Sequence, residues 1–327
     1  MNDTLYDTVI LGGGPAGVAA AVYAARKKIK TLLITKEFGG QSVVASEIEN
    51  WIGEEEISGF ELAMKLEKHV KKYKEDVDIK TPETVTKIEK VACEDEARVC
   101  DFVVTTESGD TYRAKSVIYA LGGRRRKLGI PGEDRLEGTG VSYCATCDAP
   151  LFSDKKVVVV GGGNAGAEAA VDLLPYAEKV TILQNKDQLT ADTATVDRIN
   201  SEEKIEVITN ASAQEITGSQ TVEGVVYKDE NGEEKTIEAG GVFVEIGSIP
   251  NSELVEDMVE TDDHGQIKID PRHGSTSQPG LYAAGDVTDD PYKQNNTAAG
   301  DAVKAALAAY SYVQNLPKRS PAEEPEE

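Results

Sequence analysis

Long apolar runs, positive charge and cysteine are all scarce in this sequence, and each shortage excludes something. No stretch is long and apolar enough to cross a bilayer, and Met1-Asn2-Asp3-Thr4 passes straight into a strand without a basic and apolar leader, so a cytoplasmic protein is expected. Lys and Arg number 35 against 58 Asp and Glu, a formal net charge of -23. That field repels phosphate backbones and argues against non-specific nucleic-acid binding. Only four cysteines are present, and a zinc ribbon needs two matched pairs. Cys93 and Cys100 lack the spacing, so no metal is expected and both are assigned to ordinary strand or hairpin positions. The three histidines, His69, His264 and His273, stand away from the remaining cysteines and are expected to be structural.

Those remaining cysteines form Cys144-Ala145-Thr146-Cys147-Asp148. Two thiols separated by two residues close a small disulfide without long-range folding, and a helix N-terminus or a nearby cofactor tunes their thiolate character. Asp148 adds a carboxyl able to deliver a proton to a leaving thiolate if a low-dielectric site raises its pKa. The motif predicts dithiol chemistry with its own proton management.

With 327 residues and 30 glycines, two globular domains rich in tight turns are expected. Thr8 to Leu11 reads as a buried strand, followed by Gly12-Gly13-Gly14-Pro15-Ala16-Gly17 and an alanine-rich helix to about Arg26. This is the strand, glycine turn and helix of a dinucleotide fold: Gly12 for the turn, Gly14 for close approach of a pyrophosphate, Gly17 for helix-strand packing. The helix N-terminus then offers free amides to the phosphates. A second strand, Thr31 to Ile34, runs into Thr35-Lys36-Glu37, which makes Glu37 the acid for a ribose, slightly late in the chain.

The pattern returns after the cysteines. Lys156 to Val160 precedes Gly161-Gly162-Gly163-Asn164-Ala165-Gly166 and a helix over about 167–174. One such motif is ambiguous, whereas two in one chain predict a duplicated dinucleotide fold with two nucleotides. The second ribose position falls on Gln184, at the end of the strand Val180 to Leu183. Segments 77–120 and 205–246 read as β-rich, with a hairpin at Glu230-Asn231-Gly232, and a helix is expected over about 297–312. The Pro- and Glu-rich end, 317–327, is expected to be a disordered tail.

These motifs, with Gly39-Gly40-Gln41, Glu49-Asn50-Trp51, Gly247-Ser248-Ile249-Pro250-Asn251 and Ala284-Gly285-Asp286, resemble the low-molecular-weight thioredoxin reductase family over nearly the whole chain. Ile130-Pro131-Gly132-Glu133 and Pro291-Tyr292-Lys293-Gln294 are closer to the related flavoprotein component of alkyl hydroperoxide reductase. Chain length, without that component's thioredoxin-like extension, leads us to expect a stand-alone reductase. The resemblance implies an α/β fold of two Rossmann-like three-layer domains, the second inserted into the first. An FAD domain would comprise 1–120 and 248–316, and an NAD(P)H domain carrying the cysteines 121–247.

By the same resemblance FAD is held by Gly12, Gly14, Pro15, Ala16 and Gly17, with Thr35, Glu37, Gly40, Gln41 and Asn50. Gly285 and Asp286 meet the ribityl chain, and Lys293 and Gln294 lie beside the ring. The nicotinamide nucleotide takes Gly161, Gly163, Asn164, Ala165, Gly166, Gln184, Lys186 and Gly247. Cys147 faces the flavin, Cys144 attacks the partner disulfide, and Asp148 is the acid and base. The implied partner is a thioredoxin or glutaredoxin-like protein, the implied assembly a homodimer, and glycines near Gly122-Gly123 and Gly247-Ser248 are hinge candidates.

The departure concerns the electron donor. NADPH-specific members carry a histidine-arginine-arginine cluster where this chain has Gln184-Asn185-Lys186, with Thr190 soon after, so NADH is favoured over NADPH. A ferredoxin or reduced-flavin donor, or an NAD(P)H oxidase or peroxiredoxin-system role, are the alternatives. Arg124-Arg125-Arg126-Lys127, a basic run in an acidic chain, reads either as a solvated turn or as a guide for an acidic partner.

Overall fold

The computed structural model describes residues 4–45, 47–91 and 102–317. Cys93, Cys100 and the tail beyond Pro317 lie outside the described residues. In chain order the first half contains β1 (Leu5–Gly13), α1 (Pro15–Arg26), β2 (Thr31–Phe38), α2 (Gly59–Lys71), β3 (Val77–Lys80), β4 (Val85–Lys90), β5 (Phe102–Thr106) and β6 (Thr111–Tyr119). There follow β7 (Gly123–Arg125), α3 (Glu133–Leu136), β8 (Val141–Ser142), α4 (Ala145–Asp148), β9 (Lys156–Val160), α5 (Asn164–Leu173), β10 (Lys179–Leu183), α6 (Thr193–Ser201) and β11 (Ile205–Ile208). The remainder is β12 (Ser212–Thr217), β13 (Gly224–Lys228), β14 (Glu234–Glu238), β15 (Gly241–Val244), β16 (Ser248–Pro250), β17 (Leu281–Ala283) and α7 (Asn295–Gln314).

Two parallel sheets organise the molecule. The larger runs β3-β2-β1-β6, and β6 is shared along its length: 111–114 pairs with antiparallel β5, while 117–119 pairs with parallel β17. The alternation of a strand sends Ile10, Leu33 and Ile118 to a face covered by α1, α2 and α7, and Val9, Leu11, Leu32 and Val117 to the opposite face, against the β4-β5 side and Val255 and Ile267. Both faces are buried, as parallel sheets require. Alanines on α1 and α7 let those helices approach closely over this core, and Ser58 and Glu61 form a reciprocal cap on α2.

The smaller sheet, β11-β10-β9-β15-β8, is parallel throughout its paired neighbours. Val157, Val159, Ile182 and Phe243 face α4 and α5 on one side; Val158, Val160, Leu183 and Val242 face the meander β12-β13-β14 on the other. The β13-β14 connection at Glu230-Asn231-Gly232 turns as expected, with Gly232 at φ +78°. The β7 and β16 segments, on the two passages of the chain between the sheets, pair antiparallel with each other, Arg124 opposite Ile249.

Sequence periodicity placed several boundaries short. Strand β2 extends to Phe38, so Glu37 belongs to it, and α5 and α7 begin at Asn164 and Asn295 rather than at about 167 and 297. In each case a backbone turn, not a side-chain pattern, sets the end. The decisive backbone contact is at the glycines: a Cβ on Gly17 would overlap the Gly12 carbonyl oxygen, and one on Gly166 would overlap that of Gly161. Gly14 has room, its nearest neighbour being Gly40 Cα at 3.8 Å. Gly17→Ala and Gly166→Ala are therefore expected to lower unfolding stability by roughly 2 kcal/mol or more in urea titrations, whereas Gly14→Ala should fold like the parent.

Candidate active site

The ends of β1 and β2 and the segment after β17 enclose a cavity of about 340 Å³. Ten residues singled out from the sequence meet there: Gly12, Gly14, Pro15, Ala16, Thr35, Glu37, Gly40, Gln41, Gly285 and Asp286. Gly17 lies behind them as the packing glycine. The floor is a cradle of bare backbone, since a Cβ on Gly40 would press on Gly14 Cα at 3.3 Å and one on Gly13 would overlap the Glu37 carbonyl oxygen. Thr35, buried, donates its hydroxyl to that carbonyl at 2.6 Å and so fixes the bend that turns Glu37 toward the cavity. Gln41 Nε2 donates to Asp286 Oδ2 at 3.1 Å across the opening. A glycine-lined groove at a helix N-terminus, with an acid on the ribose side and Asp286 at the far end, fits a dinucleotide such as FAD.

Glu83, Thr84, Val85 and Asn295 also line the cavity and were missed from sequence, because a strand start and a helix start carry no motif. Asn251 lines it too, at the end of the Gly247 to Asn251 motif, where no role had been assigned to it.

Asn50, Lys293 and Gln294 form a second group beyond the cavity. Asn50 Nδ2 donates to Gln294 Oε1 at 3.2 Å, and Asn296 Nδ2 holds the Asn50 carbonyl at 2.6 Å. Lys293 donates to the Thr288 carbonyl, and burial pulls its ammonium below the usual lysine range against the opposing pull of Asp286. Gln294 Oε1 lies 4.0 Å from Cys147 Sγ, so the cysteine motif abuts this wall across 147 residues of sequence.

Cys144 and Cys147 are joined in a disulfide, Cα to Cα 5.3 Å, with Cys144 heading the single turn α4. Ala145 and Ala149 anchor that turn in the core over the smaller sheet. The Cys144 N–H donates to Ser142 Oγ at 3.1 Å, and Ser142 Oγ donates to Asp148 Oδ2 at 2.6 Å. Burial pushes the Asp148 carboxyl above the usual range, while the Ser142 hydrogen bond and the Arg125 guanidinium oppose it. One carboxyl was not anticipated: Glu245, just past β15, is pushed up to about 7 by burial, tempered by Arg125 and the Ala145 N–H and reinforced by Asp172 and Asp148. No spacing rule links it to the cysteines, because the link is made by strand pairing.

The second glycine turn repeats the first, with Gly161 at φ +123° and Gly166 against it. Asn164 Oδ1 accepts from the Asp192 N–H at 2.8 Å, which commits that side chain to the neighbouring loop. Gln184 is buried: its Nε2 donates to the Gln188 carbonyl at 3.1 Å and its Oε1 accepts from the Asn185 N–H at 3.0 Å. Its amide thus shapes the 184–190 loop, which folds onto the turn through Thr190 N–H to Gly162 O at 2.7 Å. Lys186 is exposed and is the one cation in that stretch.

The basic run is split among different partners. Arg124 pairs with Glu253 at 2.8 Å, Lys127 with Asp134 and Glu137 at 2.7 Å each, and Arg125 faces Asp148 and Glu245. His69 lies 6.2 Å from the Tyr73 ring, and His273 Nδ1 lies 3.4 Å from Asp270 Oδ1. Among the described residues no group of three or more His, Cys, Asp or Glu is arranged to hold a metal, and no helix is long and apolar enough to cross a membrane.

Residues 6–306 match the family model of pyridine nucleotide-disulphide oxidoreductases. Among curated relatives, the NADH dehydrogenase of Bacillus subtilis is 43% identical over 309 residues, 94% of this chain and 58% of that protein. An alkyl hydroperoxide reductase component of Pseudomonas aeruginosa is 44% identical over 310 residues, again 94% and 58%. The chain therefore spans under two thirds of the length of these relatives. Among solved structures, thioredoxin reductase from Streptococcus pyogenes superposes with a TM-score of 0.87 at 38% identity, covering 96% of this chain and 99% of that one. Thioredoxin reductase from Lactococcus lactis, in a form named the FR conformation, gives 0.64 at 39% identity, covering 95% and 100%.

The raised Glu245 carboxyl has a stability signature. In the folded chain it keeps its proton to about pH 7, whereas an unfolded glutamate loses it near 4.5, so between these values the unfolded chain binds fewer protons. Its contribution is complete below pH 4.5 and is lost as pH rises through 7, a fall of up to about 3 kcal/mol. Urea unfolding of Glu245→Gln is expected to show a flatter pH dependence over that window, and a profile parallel to the parent would contradict the assignment.

Proposed function

The chain belongs to the pyridine nucleotide-disulphide oxidoreductase family, and from that premise we propose that it is an FAD-dependent thioredoxin-disulfide reductase. Electrons pass from a nicotinamide cofactor by way of FAD and the Cys144–Cys147 pair to a thioredoxin or glutaredoxin-like protein. The observation that carries this is the seat of Cys147, whose sulfur meets Gln294 on the wall formed with Asn50 and Lys293. When bound, FAD supplies two-electron transfer between a nicotinamide and a disulfide.

The residues divide the work. Gly12, Gly14, Pro15 and Ala16 hold the pyrophosphate end of FAD, Glu37 its ribose, and Asp286, oriented by Gln41, the ribityl chain. Gly161, Gly163, Ala165 and Gly166 serve the nicotinamide nucleotide in the same manner. Cys147 is the inward sulfur and Cys144 the one that attacks a partner disulfide through a mixed disulfide. Asp148, raised by burial and positioned by Ser142, holds the proton exchanged with the sulfurs.

A cysteine pair seated against the Gln294 wall cannot meet a flavin and a bulky protein partner at once. We take 1–120 and 248–316 as one body and 121–247 as the other, turning about Gly122 and Gly247. Both glycines have positive φ, +62° and +97°, with open space where a Cβ would stand. The streptococcal and lactococcal reductases support this reading, because at nearly equal identity and coverage their TM-scores differ as two rigid units set at another angle would make them.

NADH is the favoured donor. The 184–190 loop presents Lys186 beside Asp187 rather than a cluster of arginines, and the Bacillus relative carries the name NADH dehydrogenase. A second reading, favoured by the Pseudomonas relative's name, places the chain in a peroxide-reducing system with the disulfide serving the same relay. The assembly is taken to be a cytoplasmic homodimer; Phe60 and Met64, exposed one turn apart on α2, offer an apolar strip for such a contact.

Anaerobic titration of the purified chain is expected to consume about four electrons per protomer, and about two in Cys147→Ser, which should still bind FAD. A colourless protein that fails to take up FAD would end the proposal. In stopped-flow mixing, NADH is expected to reduce it at least about tenfold faster than NADPH; the reverse order would reassign the donor.

A further inference from the structure

The parallel pairing of β8 with β15 sets Val141 against Val242 and Ser142 against Phe243. Continued past the strand ends, this register brings Cys144 level with Glu245 at the carboxyl edge of the sheet, where α/β folds assemble their sites. Glu245 is pinned there by its own backbone: its N–H donates to the Val160 carbonyl at 2.9 Å, and its carbonyl packs on Gly161. Its carboxyl meets groups from each neighbouring element: the Ala145 N–H and Asp148 of α4, Arg125 of β7 and Asp172 of α5. Asp172 is itself tied to the cysteine turn, accepting from Thr146 Oγ1 at 3.1 Å.

Three carboxyls and one guanidinium thus form a ring of charge at the cysteine turn. Asp148 has a short hydrogen bond from Ser142 to support its charge; Glu245 has a backbone amide and a share of Arg125. A thiolate formed on opening adds a further negative charge to this ring, and the repulsion is relieved if one carboxyl takes a proton. We propose that Glu245 is a second proton-holding carboxyl of the Cys144–Cys147 centre, a positioning residue that sets how readily the opened pair carries a thiolate.

This rests on the reading that the pair opens and closes. Opening breaks the S–S bond with two electrons, delivered by the nicotinamide in the proposed function and by a dithiol in the test below. One proton goes to a sulfur to make a thiol, the other sulfur stays a thiolate, and a second proton is held on Glu245. Closing re-forms the S–S bond, returns the two electrons to the partner disulfide and releases both protons. Burial, which pushes the Glu245 carboxyl up to about 7, places this exchange near neutral pH.

The test uses the full chain reduced by dithiothreitol under argon and then freed of it, with thiolate followed by its ultraviolet absorbance against pH. Glu245→Gln is expected to leave the thiolate curve unchanged well below about pH 7, where the parental carboxyl is already protonated, and to move its upper part down by up to about one pH unit, with Glu245→Asp restoring the parental curve. Superimposed curves for Glu245→Gln and the parent would overturn the inference while leaving the reductase reading intact. Failure of dithiothreitol to open the pair would overturn both.

A second measurement does not depend on the folding of that variant. In Asp148→Asn at about pH 8, the reduced-minus-oxidised infrared difference spectrum is expected to gain a protonated-carboxyl band. Its absence would overturn the proposal.

Discussion

Two places where a helix touches a strand through bare backbone support everything else in this molecule. At Gly17 on Gly12, and again at Gly166 on Gly161, the first turn of a helix rests on a carbonyl oxygen with no side chain between them. That approach points free amides of each helix at the carboxyl edge of its sheet, where an anion is favoured. It also fixes where the following strand must end, and with it Glu37 on one side and Gln184 on the other. The alanine faces of α1 and α7 extend the same economy of volume, packing the core closely while keeping both grooves open.

The redox centre is built differently, from charge. Its four-residue turn is held by Ala145 and Ala149 in the core, and around it the sequence places carboxyls that do not pair neatly with cations. The one guanidinium that reaches them, Arg125, comes from the ribbon joining the two sheets. Arg125 lies past Gly122, on the same side of that joint as the carboxyls, so the cation and the acids it tempers are carried by one stretch of chain. Arg124 and Lys127 are occupied elsewhere by Glu253, Asp134 and Glu137, so the formal charge of the run overstates what it presents to a partner.

Much of this was legible in the residues. Glycine spacing, strand-like runs and the cysteine pair each reflect a local constraint, and local constraints leave a mark on sequence: the first groove assembled ten of its expected residues in one cavity. Glu245 and Glu83 left no such mark, since strand pairing and chain connection, not spacing, bring them to their sites. Gln184 shows a subtler limit. Its position at the strand end was readable, but that its amide closes on Gln188 and Asn185 depends on a loop whose fold no periodicity encodes. The basic run shows the same limit, since the pairing of Arg124 with Glu253 joins residues far apart in the chain.

The ribbon of β7 and β16 carries one more consequence. Because the chain enters and leaves the cysteine-bearing unit through adjacent, mutually bonded strands, that unit hangs from a single edge, like a door on its jamb. In the motion we propose, such a unit would swing without drifting, so a sulfur leaving the Gln294 wall would travel an arc and return along it. On that reading the search for its electron source would be reduced from three dimensions to one, and the local concentration of each reactant about the other would stay high.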